Sequence, residues 1–434
     1  MMLPLPDDAL LAFGQAGQMT GLDFRTDVAA LASALRRRRI QRGAIMTADG
    51  YRFTVALFAL FAADATAVLP PNGQPGTLAA LAGQYDLLLG DGEVADPTAD
   101  RSCWDGRLDA QACRIDFFTS GSTGAPKCIS RRLDQLVREI AQLERRWGAG
   151  SEQAPVFATV SHQHIFGLTF RLLWPLMTGR PFATHSHDLW ETLLAAMPAG
   201  AIVISSPAHL GRLEGLHSKN KPRLLFSAGA PLPFTAASRA AALFDSLPHE
   251  IYGSTETGAI ATRQQRHADT PWTPLAGNRI AADEKGQLRL QSPYASEGDW
   301  MALPDRIELL PKGFRLLGRL DRVVKIAGKR IELDDVEAAL RRLPEIADAA
   351  VLPLPGDDPI LAAAVQLSEQ GAVSLARLGA FRLSRRLRAA LAATLEPAGR
   401  PRRWRFVPAL PRTAMHKTVQ SDLADLFAKP AADA

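Results

Sequence analysis

Apolar and polar positions change rhythm along this chain, and each rhythm predicts a different kind of structure. In the middle, short apolar runs alternate with helical periodicity, the pattern of βα units on a parallel sheet. Arg114–Thr119 reads as a strand followed by a Gly/Ser loop, after which Leu133, Leu136, Val137, Ile140 and Leu143 recur at helical spacing. Residues 156–160, 201–205 and 223–226 read as further buried strands, with helices near 166–177 and 234–247. Between Gln287 and Arg330 the rhythm becomes short strands (QLRLQS, RIELL, FRLLG, RVVKI) separated by turns. A helix opened by two acids then covers 334–342, followed by strands at 349–354 and 361–367, arginine-rich helices, and a last strand at 404–407. The pattern predicts a large N-terminal α/β domain over residues 1–320, joined to a small α+β C-terminal domain over residues 321–434. No internal repeat is visible.

Composition narrows this picture. Hydrophobic residues make up 47% and charged residues 22% of the 434 positions, which excludes a disordered, collagenous or coiled-coil chain. Three cysteines (Cys103, Cys113, Cys128) are too few for a disulfide scaffold and lack the paired spacing of a zinc site. The amino terminus, MMLPLPDDALLAFG, has acids where a signal peptide wants positive charge. The most apolar run, Val55 to Ala63, falls far short of the roughly 20 residues a membrane helix needs. The expectation is a cytoplasmic protein with no membrane span. Net charge is +5, too modest to argue for a nucleic-acid partner. The excess sits in the tail: from Arg319 onward there are 19 Lys+Arg against 14 Asp+Glu, while the preceding residues balance at 31 each. Between Arg377 and Arg412, ten arginines face the single acid Glu396.

Four segments carry chemistry. Thr119-Ser-Gly-Ser-Thr-Gly-Ala-Pro-Lys127 follows a predicted strand, and its glycines, hydroxyls and lysine suit the wrapping of phosphate oxygens. It is not a Walker A loop, because proline precedes the lysine and Cys128 follows it. Ile251-Tyr-Gly-Ser-Thr-Glu-Thr-Gly258 sets an aromatic, hydroxyls and a carboxylate on a turn, able to stack a base on Tyr252 and hold magnesium with Glu256. Gly318-Arg-Leu-Asp-Arg-Val-Val-Lys-Ile-Ala-Gly-Lys-Arg-Ile-Glu332 opens the small domain, and Leu410-Pro-Arg-Thr-Ala-Met-His-Lys417 lies near the end.

In this order the four segments resemble the adenylate-forming (AMP-binding) superfamily: acyl- and aryl-CoA synthetases, adenylation domains of peptide synthetases, and luciferases. The likeness runs from about Phe117 to Leu423 and is similar to the short ligases of bacterial aryl-polyene pathways. It implies that the N-terminal α/β domain is the adenylate-forming one, binding ATP and the acid. By this resemblance Thr119, Ser120, Gly121, Ser122, Thr123, Gly124 and Lys127 bind phosphate, and Gly229 and Ala230 lie beside the adenine. Tyr252 packs on the adenine, Thr255 lies near the α-phosphate, and Glu256 is the magnesium ligand. Asp305 and Arg319 take the ribose, Asp321 is the hinge, and Lys417 reaches the carboxylate and α-phosphate during adenylation. The chain departs from the family's pattern at His416 and Cys128, where glycine is usual, and Asp305 lacks the preceding Thr-Gly. It is also shorter than typical members, trimmed before the phosphate loop and between Gly258 and Asp305.

Ser161-His-Gln-His-Ile-Phe-Gly-Leu168 resembles the wall of the acid pocket, with His164 at its gate. Core burial is the competing reading for His162 and His164, and the favoured one for Phe166, Phe170 and Trp174. No acid lies between Ser161 and Thr169 to hold an α-ammonium, which disfavours an amino-acid adenylation enzyme. The resemblance therefore implies an AMP-forming acid–thiol ligase. ATP and Mg2+ activate an aryl or fatty acid, and the acyl group passes to CoA or to the phosphopantetheine of an acyl carrier protein. Rotation about Asp321 would exchange Lys417 for the turn at Lys325–Glu332 between the two steps. The arginine cluster suggests steering of an acidic carrier protein, against the plainer reading of a solvated helix face. A non-catalytic nucleotide-binding regulator of the same fold is the alternative from another class.

Overall fold

The computed structural model describes residues 1–3, 5–91, 103–119, 127–296, 298–326, 329–354, 359–412 and 418–428. Its centre is a nine-stranded sheet in which Val156–Ala158, Ile202–Ser205, Leu224–Ser227 and His249–Ser254 run parallel side by side. Side chains alternate faces along a strand, and here both faces are buried. Val156, Ala158, Ile202, Ile204 and Phe226 enter one core, while Phe157, Val203 and Leu225 enter another. Continuous apolar runs rather than alternation are what such strands require.

A second sheet of five strands has the order Leu87–Gly90, Arg42–Met46, Thr66–Leu69, Arg114–Thr119 and Lys127–Arg132. Its last two strands form an antiparallel hairpin in register from Arg114↔Arg132 to Thr119↔Lys127. Helix Gly50–Ala62 explains the most apolar run of the sequence: every residue of it except Arg52 is buried. A helix apolar all round belongs inside a large core, and none among the described residues is long and apolar enough to cross a membrane. Phe166, Phe170 and Trp174 are core residues as expected. The single helix predicted around them is instead three pieces, with a π-helical stretch over Leu168–Leu173. Pro175, the second residue of the next piece, has no N–H to continue an α ladder.

Arg279–Ala282, Gln287–Gln291, Trp300–Leu310 and Gly313–Arg319 form a four-stranded antiparallel sheet. The predicted short strand RIELL is the end of the eleven-residue strand Trp300–Leu310. Pro304 hid that continuity, since proline usually argues against a strand interior. Beyond a 3-10 turn at Leu320–Arg322 come the hairpin Val323–Ile326/Lys329–Glu332 and helix Leu333–Arg341. A three-stranded sheet follows, Ile346–Leu354, Ile360–Leu367 and Arg403–Phe406. Ala349 and Val351 face a core shared with helices Leu333–Arg341 and Glu369–Ala390, and Ala350 and Leu352 face helix Gln420–Ala428. The tail is thus a small α+β unit with a core of its own.

Candidate active site

The turn after strand His249–Ser254 is built by close approach. At Gly253 a Cβ would lie 2.0 Å from the carbonyl oxygen of Gly258, and Gly258 itself has φ +66°. Only glycine fits both demands. Within the turn, the Ser254 N–H donates to the Thr257 hydroxyl at 3.0 Å and the Thr257 N–H to the Ser254 hydroxyl at 3.3 Å. Thr255 and Glu256 are left at its tip, half-buried.

Strand Lys127–Arg132 grips this turn twice, because positions 127 and 131 share a face of the strand. Lys127 Nζ donates to Glu256 Oε1 at 2.8 Å. Burial works against the Glu256 charge, but hydrogen bonds from Lys127, the backbone and Ser254 outweigh it and hold its carboxyl below the ordinary value. Arg131, only 3% exposed, reaches the turn from behind and donates to the carbonyl oxygens of Thr255 and Glu256, both at 3.0 Å. It also donates to the Tyr294 carbonyl at 3.1 Å. Glu139, on helix Leu133–Trp147 and 1% exposed, accepts the N–H of Ala259 at 2.8 Å. Burial pushes Glu139 up to about 7, against the pull of Arg131 and of that N–H. Neither Arg131 nor Glu139 stood out in the sequence. The signal was there: a charged residue at an inward strand position, and another on the apolar stripe of a helix.

A second cluster lies to one side. Tyr252 packs on Trp272 and Phe314, with ring centroids 5.6 and 5.9 Å away, and its hydroxyl is hydrogen-bonded to Asp305. Asp305 stands opposite Arg319 across the strand pair, and Arg319 Nε donates to Asp321 at 2.8 Å. Burial raises the Asp305 carboxyl, opposed by Tyr252 and Arg319. Gly229 (φ +98°) and Ala230 follow strand Leu224–Ser227, next to the strand that delivers Tyr252. These are carboxyl ends of adjacent parallel strands, where open α/β sheets bind ligands. The far side is formed by residues 161–167, drawn so tight that a Cβ on Gly167 would lie 2.0 Å from the Ser161 carbonyl oxygen. The two histidines there part company. His162 is a core residue between the Thr47 carbonyl at 2.9 Å and Arg171 at 3.0 Å, and burial lowers it well below its ordinary value. His164 is half-buried at the start of helix Ile165–Gly167.

Among the described residues no group of three or more His, Cys, Asp or Glu could hold a metal ion. Glu256 alone suits an ion that takes one carboxylate together with substrate phosphates and water, which is how Mg2+ is held. The strands flanking the phosphate loop meet at the Thr119↔Lys127 pair. Ser120, Gly121, Ser122, Thr123, Gly124, His416 and Lys417 lie outside the described residues. The arginine cluster proves mixed. Arg386 pairs with Glu345 and Arg412 with Asp348, and Arg400, Arg403 and Arg405 donate to carbonyls at 2.8, 3.5 and 3.0 Å. Exposed Arg377, Arg382 and Arg385 have no ion pair among the described residues, and Arg385 lies over the exposed ring of Phe381.

Comparison with known proteins bears on this arrangement. Residues 85–288 match the model for AMP-binding enzymes, and residues 335–417 match that for the AMP-binding enzyme C-terminal domain. A 4-coumarate–CoA ligase of Rhodobacter capsulatus is 31% identical over 307 residues, covering 70% of this chain and 74% of that protein. An anthranilate–CoA ligase of Pseudomonas aeruginosa is 27% identical over 337 residues, 67% of this chain and 63% of that one. In fold, the chain is similar to o-succinylbenzoate CoA synthetase of Bacillus subtilis in complex with ATP and magnesium. That TM-score is 0.77 at 17% identity, over 96% of this chain and 97% of the other. The expected shortness does not hold against these relatives, since the aligned part is 70% of this chain and 74% of the 4-coumarate–CoA ligase; the chain belongs to the AMP-binding enzyme family.

Proposed function

We propose that the protein is an AMP-forming acid–thiol ligase. A carboxylate oxygen attacks the α-phosphorus of ATP and pyrophosphate leaves. The thiol sulfur then attacks the acyl-adenylate carbonyl, losing its proton, and AMP leaves. The observation that carries this reading is the double cluster at the carboxyl ends of the sheet. Lys127 meets Glu256 at the tip of the turn, and Tyr252, Asp305 and Arg319 form the second cluster. A carboxylate needs no general base to attack phosphorus. The protein must align two anions and relieve their repulsion.

In this reading Thr119, Ser120, Gly121, Ser122, Thr123, Gly124 and Lys127 hold the phosphates, and Thr255 donates near the α-phosphate. Mg2+ bound at Glu256 supplies charge neutralisation to the phosphate oxygens. Gly229, Ala230 and Tyr252 border the adenine, and Asp305 accepts from the ribose with Arg319 beside it. His164 gates the acid pocket, and Lys417 bridges carboxylate and α-phosphate. Residues 1–320 form the body and 321–434 a mobile small domain turning at Asp321. The acids in the relatives' names, 4-coumarate and anthranilate, are aryl carboxylates, and they favour an aryl acid over a fatty acid as substrate. CoA is the acceptor that those names favour. The exposed arginines around Phe381 keep the phosphopantetheine of an acidic carrier protein as the second acceptor. The test is acid-dependent exchange of pyrophosphate into ATP across a panel of aryl, fatty and amino acids, then thioester formation on CoA and carrier protein. Exchange with aryl acids is expected; no exchange with any acid would leave the nucleotide-binding regulator.

A further inference from the structure

Arg131 and Glu139 are the two most deeply buried charged groups against the turn 254–259, and the function described above uses neither. A buried arginine usually answers a carboxylate directly. Among the described residues Arg131 has none within salt-bridge distance, and Glu139 is the strongest of several opposing charges that act on it across space. Its guanidinium is turned instead onto backbone oxygens: Thr255 and Glu256 from one nitrogen, Tyr294 from another. Gln135 steadies the third nitrogen at 3.3 Å, while its own oxygen also accepts the Arg132 N–H at 3.0 Å. Glu139 completes the hold from the other end of the turn. One oxygen takes the Ala259 N–H, and the other is buried with no hydrogen-bond partner among the described residues. A Cβ on Gly258 would lie 2.2 Å from that second oxygen, so the carboxylate fills the space behind the glycine.

We propose that Arg131 and Glu139 are positioning residues of the adenylation step, a clamp behind the turn that fixes the backbone from which Thr255 and Glu256 project. The proposal rests on the ligase reading above and deepens it. Two features argue for placement beyond mere packing. The Arg131 contacts fall on the carbonyls of the two residues at the turn's tip. They also come from the strand that carries Lys127, so one strand sets the front and the rear of the site together. A displacement of about 1 Å in such a group is enough to cost on the order of 100-fold in rate.

The test uses three variants of the full chain: Arg131→Lys, Glu139→Gln, and the double change Arg131→Met with Glu139→Met. Arg131→Lys keeps the charge and loses the fork. Its kcat for pyrophosphate exchange is expected to fall by roughly 10- to 100-fold, with KM for the acid within about threefold, because the lost contacts act on the transition state. Its Mg2+ requirement should rise, and Glu139→Gln should move in the same direction by less. The double Met variant removes both charges together but leaves the Thr255, Glu256 and Tyr294 carbonyls and the Ala259 N–H without their partners, so its melting midpoint and its kcat should both stay low. A double variant that recovers both stability and kcat makes the pair structural and overturns the clamp. So does an Arg131→Lys enzyme with unchanged kcat and Mg2+ requirement. Calorimetry of Mg2+-dependent ATP binding, on wild type and on Arg131→Lys, separates this from the ligase reading. Should wild type bind ATP yet exchange with no acid, that reading fails, and the clamp stands only if Arg131→Lys weakens the Mg2+-dependent part of binding. A wild type that binds no ATP overturns both.

Discussion

The front and rear of one turn show how the same chemistry behaves in two settings. In front, Lys127 and Glu256 meet at 2.8 Å with side chains 61% and 38% exposed. Behind, Arg131 holds the tip of the turn and Glu139 its far end, with 3% and 1% exposed. Both cations come from one strand, four positions apart. Water screens the front pair, so it is weak and exchangeable. In the proposed function, that suits a carboxylate that exchanges a lysine for a metal ion and phosphates. The rear pair has been taken out of water, which is costly, and it persists only because backbone partners compensate the charges. Exposure makes the front a working surface, and desolvation makes the rear a fixed support.

The comparison breaks most visibly on stability. Arg131→Met should destabilise the fold by about 1–3 kcal/mol for each of the buried carbonyls it leaves unpaired, those of Thr255, Glu256 and Tyr294. Lys127→Met, on the same strand, should cost no more than about 1 kcal/mol. Urea denaturation of the two variants measures both, and similar losses would erase the distinction. Next in size, Lys417→Ala should lower adenylation at least about 100-fold, the scale of losing one charge stabiliser in a transition state. Thioester formation from supplied acyl-adenylate should barely change if, as proposed, the small domain turns between the two steps. Rapid-quench measurement of the two half-reactions separates them, and equal losses would refute the rotation about Asp321.

Glu256→Gln should raise the Mg2+ concentration for half-maximal exchange by about tenfold while leaving the melting midpoint almost unmoved, as befits an exposed pair. A Mg2+ titration at saturating ATP reads this directly. The last expected effect is a slope with pH. Folded Glu139 keeps its proton up to about pH 7, whereas an ordinary glutamate releases it near 4.5. The stabilisation this brings is complete below about 4.5 and is lost as pH rises to about 7. The stability of wild type relative to Glu139→Gln should therefore decline between those values and level off above them. Denaturation curves at several pH values, with the two proteins side by side, test it.

The motif residues were legible because each set is contiguous. Tyr252, Thr255 and Glu256 sit within five positions, and a chain that packs glycines and hydroxyls between Thr119 and Lys127 has few other uses for them. Periodicity located the parallel strands at 202–205 and 224–227 to within a residue or two. It missed the reach of Trp300–Leu310 and the π-helical stretch at Leu168–Leu173, because proline disturbs the local pattern in both places. Composition alone did not sort the arginine-rich tail. Charge counted along the sequence does not say that Arg386 faces Glu345 or that Arg405 caps the end of helix Gln420–Ala428. The pair His162 and His164 could not be separated either, since burial differs between them by tertiary surroundings alone.

By itself the sequence determined the order of elements, the glycine-dependent turns and the chemistry each short segment can offer. These follow from backbone preferences and from side chains a few positions apart. Only the tertiary structure decided which segments meet. It brought Lys127 to Glu256 across 129 positions, Arg131 to Thr255 across 124, and Glu139 to Ala259 across 120. It decided, too, which of these charges stay wet. The energy of an ionised group depends on the water and dipoles around it, and those are supplied by parts of the chain that no local window contains.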